Sequence, residues 1–173
     1  MRNSPNNKSL TILEMVLFGM LAGLTFALQV VMGPLPNIEP VSLLVILFAV
    51  TFGWKCLYPI YIFVVMEVLY YGISLWNVYY LYIWAVLAVA AISMRKVQSP
   101  FAWVMLSAVF GLLFGALCAI VDVFIGGPAY AVSKWAMGIP FDVTHCIGNF
   151  VIALVLFKPL RQLMDKLYAK VRR

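Results

Sequence analysis

Gly33-Pro34-Leu35-Pro36-Asn37-Ile38-Glu39-Pro40 interrupts an otherwise almost continuously apolar sequence. Three prolines in eight residues remove backbone donors and forbid a helix across the stretch. The apolar runs on either side, residues 10–31 and 41–54, are therefore two elements and not one. The first is long enough for a helix to cross the hydrocarbon core of a bilayer. It is too long for the apolar part of a cleavable signal peptide, and no small-residue cleavage site follows it. The same punctuation recurs downstream. A third apolar run spans 56–73, with Pro59 near its start, where a missing N–H is tolerated. Ser74-Leu75-Trp76-Asn77 connects it tightly to a fourth run, 77–94, which stops at Arg95-Lys96. Gln98-Ser99-Pro100 precedes a fifth run, 101–125. A loop is expected at Gly126-Gly127-Pro128 and Lys134, with Pro140 opening a sixth run, 140–157. The expected fold is an all-α integral membrane protein: six transmembrane helices in a single membrane domain covering 1–173.

Composition agrees with that reading. Of 173 residues, 65% are hydrophobic and 10% charged, and the mean hydropathy is +1.04. A soluble domain is about half apolar and about a quarter charged, so a soluble enzyme, a disordered chain and an ordinary nucleic-acid binder are excluded. The net charge of +6 arises from cations at the edges of apolar runs, not from a basic face. With six spans, one side carries Arg2, Lys8, Lys55, Arg95, Lys96 and the tail cations 158, 161, 166, 170, 172 and 173; the other carries Lys134 alone. This positive-inside asymmetry puts both termini in the cytoplasm of a multi-pass cell-membrane protein. The tail, 158–173, with Leu160, Leu163 and Leu167, reads as an amphipathic helix on the membrane surface. Cys56, Cys118 and Cys146 lack the spacing of a disulfide frame or a zinc site.

Polar side chains within spans are costly and usually face a cavity or a partner. Asp142, His145 and Asn149 share one helical face in the outer half. They line a pocket or staple a neighbouring helix, with Asp142 near a positive helix end. Asp122 is either a pocket residue or the partner of Lys134. Gly111 and Gly115 on the same span read as helix packing. Asn77, Tyr80 and Trp84 also share a face, suited to stacking a ligand while hydrogen-bonding its rim; Tyr79 and Tyr82 read as interface anchors. Asn37 and Glu39 sit in the stiff Pro-rich loop, a candidate lid whose shape the prolines alone would also explain. Lys134 with Trp135 is the one outer pair suited to a carboxylate. Glu67 reads as a buried hydrogen-bonding group. A single histidine rules out a histidine-rich metal cluster, no serine lies in a G-x-S-x-G elbow, and no nucleophile has an activating context. The chain reads as a non-enzyme without catalytic residues, metal or resident cofactor.

Gly19, Gly23 and Ala27 recur every four residues on the first span, a stripe that permits close approach of another helix. Together with the six short spans, the outer polar groups and the Pro-rich first outer loop, it resembles the substrate-binding S component of energy-coupling factor vitamin transporters. The resemblance covers the whole chain. In that family the first helix carries an A-x-x-x-A-type patch that docks on a transmembrane coupling subunit; here glycine replaces alanine at two of the three positions. The resemblance implies an outward-facing binder, closed by its first outer loop, that topples in the membrane to deliver a vitamin. Its implied partners are the coupling subunit and two ATPases that consume ATP. This chain has no G-x-x-x-x-G-K-[ST] of its own.

The outer half carries Glu39, Asp122 and Asp142 against one lysine and no arginine. Carboxylate ligands usually recruit arginine, which disfavours pantothenate, folate and biotin. Cobalamin is the leading expectation. Hydroxymethylpyrimidine, thiamine or pyridoxine comes next, with pantothenate kept open through Lys134 and Trp135. From a different class, an assembly subunit of a membrane complex would fill the same stripe with a partner helix. A self-contained carrier would show a pseudo-symmetric repeat, and none is detected.

Overall fold

The computed structural model describes residues 10–35 and 37–171. Pro36 and four of the counted cations, Arg2, Lys8, Arg172 and Arg173, lie outside the described residues. Those residues are all-helical: α1 (Ile12–Met32), α2 (Val41–Phe52), a short 3-10 turn (Gly53–Cys56), α3 (Leu57–Tyr71), α4 (Leu75–Ser93) and α5 (Pro100–Val171).

Local chemistry sets the boundaries. Thr11 caps α1 in a reciprocal box, the Glu14 N–H donating to Thr11 Oγ1 and the Thr11 N–H to the Glu14 carboxylate, each at 3.1 Å. The Pro-rich segment ends α1. Gly72, at φ 80, closes α3 in a conformation that a side chain would resist. Ser74 and Asn77 form a second capping box that starts α4. Nearly every residue of α2 is buried, so it is apolar all round and serves as the central post of the bundle. It packs against α1, α4 and α5, while α3 packs against α1 and α4.

α5 differs from the sequence expectation. Its one non-helical residue is Gly127 (φ 82, ψ 173), which divides it into segments 100–126 and 128–171. Pro128 opens the second segment, where its missing N–H costs little. The loop expected over 126–139 is instead helical, and Pro140 and Pro159 lie inside the helix. A proline removes one backbone bond but leaves the neighbouring ones, and the apolar surroundings carry the helix through. The Thr144 hydroxyl donates to the Pro140 carbonyl at 3.0 Å. The tail is continuous with this helix as far as Val171 and docks on the bundle. Tyr168 meets Phe52 edge-on at 4.8 Å and donates to Glu14 at 2.9 Å.

Four helical stretches are long and apolar enough to cross a membrane: Ile12–Met32, Val41–Tyr71, Leu75–Ser93 and Pro100–Val171. Apolar side chains fill the interior and also cover much of the surface, unlike in a soluble domain. Ile73, Phe124 and Leu69 are 94%, 86% and 80% exposed, whereas Glu14, Glu67, Asp122, Asp142, His145 and Asn149 are buried. An apolar surface of this extent needs a lipid or protein cover.

One end of the bundle is tied by charge. Lys55 Nζ lies 2.8 Å from the buried Glu14 carboxylate, Arg161 donates to the Thr51 hydroxyl at 3.3 Å, and a side chain at Gly53 would meet the Arg95 guanidinium. The candidate polar groups gather toward the opposite end.

Candidate functional site

The site is built from four helices and the loop that follows α1. Gln29, near the end of α1, donates through Nε2 to Glu67 on α3 at 3.3 Å and to the Tyr80 hydroxyl on α4 at 3.2 Å. Tyr80 lies edge-on to Trp84 one turn later, with ring centroids 5.3 Å apart. Trp84, fully buried, touches Phe114 at 6.1 Å, and Phe114 touches His145 at 5.1 Å. This run of contacts joins α1, α3, α4 and both segments of α5.

Among the described residues, the buried side-chain polar atoms without a hydrogen-bond partner include four along this run, Gln29 Oε1, Glu67 Oε1, Trp84 Nε1 and His145 Nε2, and three off it, Ser42 Oγ, Ser107 Oγ and Asp142 Oδ2. Buried polar groups are nearly always paired, so each orphan calls for an explanation. The four along the run come from four helices and are linked by these contacts.

Glu39 borders the cluster from the loop. Its side chain is partly buried, and desolvation pushes its carboxyl up to about 7, with the charge of Glu67 adding to the effect. Asn37 adopts a left-handed backbone (φ 59), and its carbonyl lies 3.3 Å from where a Cβ on Gly148 would stand. The absence of a side chain at Gly148 therefore lets the loop rest on α5, one turn beyond His145.

A second group lies beside the first. Lys134 bridges to Asp122 at 2.7 Å and to the Tyr79 hydroxyl at 2.9 Å, and Tyr79 itself donates to Asp122. Asp122 is thus held by the ion pair that was the alternative to a pocket role. Lys134 and Trp135 are on a helix and not in a loop. The Trp135 indole faces the Asp142 carboxylate, which accepts the Gly115 N–H at 2.9 Å. Asn149 donates to the Ser107 carbonyl at 3.0 Å, a staple between the two α5 segments. Gly111 and Gly115 make that approach possible: side chains there would meet the His145 backbone and the Asp142 carboxylate.

Of the sequence candidates, Glu39, Tyr80, Trp84 and His145 are brought together around the orphaned atoms. Asp122, Lys134, Trp135, Asp142 and Asn149 form the adjoining paired layer. Asn77 is drawn away, its carbonyl oxygen capping α4 by accepting the Ser74 N–H at 2.6 Å. Tyr79, read as an interface anchor, is instead buried against Asp122. Gln29 was not singled out. A polar residue two positions beyond Ala27 in an otherwise apolar run was the available signal. Gly19, Gly23 and Ala27 point away from the bundle, and a side chain at Gly19 or Gly23 would meet nothing within 4 Å.

An apolar groove lined by Trp54, Leu57, Tyr58, Tyr61, Ile62, Val65 and Met66 lies along the outer side of α3, away from the polar cluster. No family model, no curated protein and no solved structure matches this chain.

Proposed function

We propose that the chain is a substrate-capturing membrane subunit of the S-component type. It binds a vitamin or vitamin precursor in its outer half and delivers it through a coupling subunit driven by two ATPases. The observation that supports this reading most strongly is the convergence of orphaned, buried polar atoms from four helices on one region under a loop. Such groups are costly to bury without partners, and a captured ligand supplies them.

The proposed topology has six crossings with both termini in the cytoplasm. At one end Lys55 and Tyr168 meet Glu14 in α1's first turn, Arg161 meets Thr51 and Arg95 lies beside Gly53, while Asn37 and Ile38 of the loop rest on α5 toward the other. Each of the stretches Val41–Tyr71 and Pro100–Val171 then crosses twice, turning at Gly53–Cys56 and at Gly127. The tail cations lie on the cytoplasmic side.

The small-residue face of α1 serves as the docking surface for the coupling subunit. It is open and borders exposed Met20 and Leu24, so a partner helix can approach closely. Among transported ligands, cobalamin is the expectation from composition. The close ring contacts from Tyr80 through Trp84 to Phe114 favour a smaller one.

The test is co-expression with the coupling subunit and both ATPases, followed by co-purification and uptake of labelled vitamins. A Cβ at Gly23 would meet nothing within 4 Å, which leaves room for the start of a side chain in Gly23→Leu. This variant is expected to leave the melting temperature unchanged while abolishing co-purification and ATP-dependent uptake. Retained co-purification would remove α1 as the docking face. Absence of co-purification and uptake with the unaltered chain would favour an assembly subunit.

A further inference from the structure

The polar cluster carries a chemical signature of its ligand. Its charge is acidic and locally uncompensated. Glu67 is 5% exposed, its Oε2 accepting only the long 3.3 Å bond from neutral Gln29 and its Oε1 accepting none. Glu39 approaches from the loop closely enough to feel the charge of Glu67. Lys134, the cation of this half, is committed to Asp122 and Tyr79. A buried carboxylate without a cation is an expensive arrangement, and a ligand bringing positive charge or paired N–H donors would relieve it.

The remaining orphans complement this. Gln29 Oε1 is an acceptor beside Glu67, the Trp84 indole N–H is a donor, and His145 Nε2 offers a further polar contact beyond Phe114. Aromatic rings bound the same region. Phe63 lies 6.3 Å from Tyr80 and 6.4 Å from Trp84, and Trp84 lies 5.3 Å from Tyr80. Acceptors on α1 and α3, a donor on α4 and aromatic rings beside them suit a planar ring better than a flexible acid.

We propose that this cluster takes a flat, nitrogen-rich heterocycle that is cationic or presents an amidine-like N–H edge, with Glu67 and Glu39 holding that edge and Tyr80 and Trp84 walling its face. The assignment rests on the substrate-capture reading above and names its substrate class. An aminopyrimidine protonated on the ring nitrogen beside its amino group presents two N–H groups to a carboxylate in the manner of a guanidinium fork, whereas the neutral ring presents one N–H and one acceptor to a protonated carboxyl. A cationic ring gains further from the aromatic faces. An anionic ligand finds acceptors and no free cation in this cluster and is disfavoured.

The experiment is equilibrium titration of the purified full chain in detergent, read by tryptophan fluorescence and calorimetry. The probes are hydroxymethylpyrimidine, thiamine, pyridoxine, pantothenate and cobalamin. The expected result is saturable one-to-one binding of hydroxymethylpyrimidine or thiamine, weakened about ten-fold or more by Glu67→Gln. Glu39→Gln, on the loop and independent of the helix packing, is expected to weaken it in the same direction. Tyr80→Phe, which keeps the ring, is expected to have a smaller effect than either. Melting temperature and elution profile of each variant verify that it is folded.

Preferred binding of pantothenate or cobalamin would overturn the assignment. So would aminopyrimidine binding indifferent to both Glu39→Gln and Glu67→Gln, or no binding of any probe by the isolated chain and by the chain co-purified with its partners. Co-purification with the coupling complex, scored on the same samples, separates the two claims. A chain that co-purifies but prefers pantothenate overturns the ligand class and leaves the importer reading. A chain that binds an aminopyrimidine but never co-purifies does the reverse.

Discussion

Glu14 and Glu67 are both carboxylates buried among apolar helices, and the protein treats them in opposite ways. Glu14 accepts from Lys55 Nζ at 2.8 Å, from the Thr11 N–H at 3.1 Å and from the Tyr168 hydroxyl at 2.9 Å. Three segments distant in sequence meet on it, so it works as a staple that ties the start of α1 to the 3-10 turn and to the end of α5. Glu67 has one long bond from a neutral amide and one oxygen without a partner. A group satisfied on every side contributes to the fold; a buried group left short of partners is available to something else. The end with Glu14 ties the bundle together, and the end with Glu67 is the one proposed to take a ligand.

Breaking the staple should have the largest effect on stability. Glu14→Ala removes the capping box and leaves Lys55 without its anion. Loss of a buried pair costs about 3–5 kcal/mol, and the partial exposure of Lys55 reduces this to about 3. The readout is the melting temperature in detergent, with ligand affinity measured well below the transition expected to stay the same. Lost affinity at unchanged stability would erase the contrast between the ends.

The next effect concerns pH. Glu39 holds its proton more tightly in the fold than in the unfolded chain, so the protonated form favours the fold. That contribution is complete below about 4.5 and is lost as pH rises to about 7. One group sets a slope of at most about 1.4 kcal/mol per pH unit. Stability should therefore decline across this window in the unaltered chain, and Glu39→Gln should flatten the profile. An unchanged profile in the variant would place the titration elsewhere.

Lys134→Met tests the layer between the two ends. It leaves Asp122 buried with Tyr79 alone, at a cost of about 2 kcal/mol after allowance for the exposed lysine. Adding Asp122→Asn should recover part of the loss, because an uncompensated charge is then removed. Failure to recover would mean that packing and not charge dominates there. Smallest of all is the stability effect of Glu67→Gln, within about 1 kcal/mol, since no strong bond is lost.

Much of the helical layout was readable from punctuation. The Pro-rich stretch after α1, the Ser74–Asn77 connection between α3 and α4 and Arg95-Lys96 after α4 each mark a boundary, whereas Gly72, which closes α3, lay inside the expected third run. The region around Gly127 was harder. A Gly-Gly-Pro sequence is compatible with a loop or with a single-residue break, and the two differ only in what packs around them. Tyr79 was misread for a related reason. Tyrosines at 79, 80 and 82 look alike along the chain, and only the position of Asp122 on another helix decides that Tyr79 turns inward. The spacing of Tyr80 and Trp84 did show one face, but joining that face to Gln29, Glu67 and His145 requires tertiary contacts that no periodicity contains.

The most direct test of the contrast is a thermal melt of the unaltered chain, Glu14→Gln and Glu67→Gln, each with and without a saturating aminopyrimidine. Ligand that binds only the folded state raises the melting temperature in proportion to its affinity. The account predicts that Glu14→Gln melts lower but keeps the ligand-induced rise, while Glu67→Gln melts near the unaltered chain and loses that rise. A Glu67→Gln protein that still gains stability from the ligand, or a Glu14→Gln protein that alone loses the gain, would contradict it.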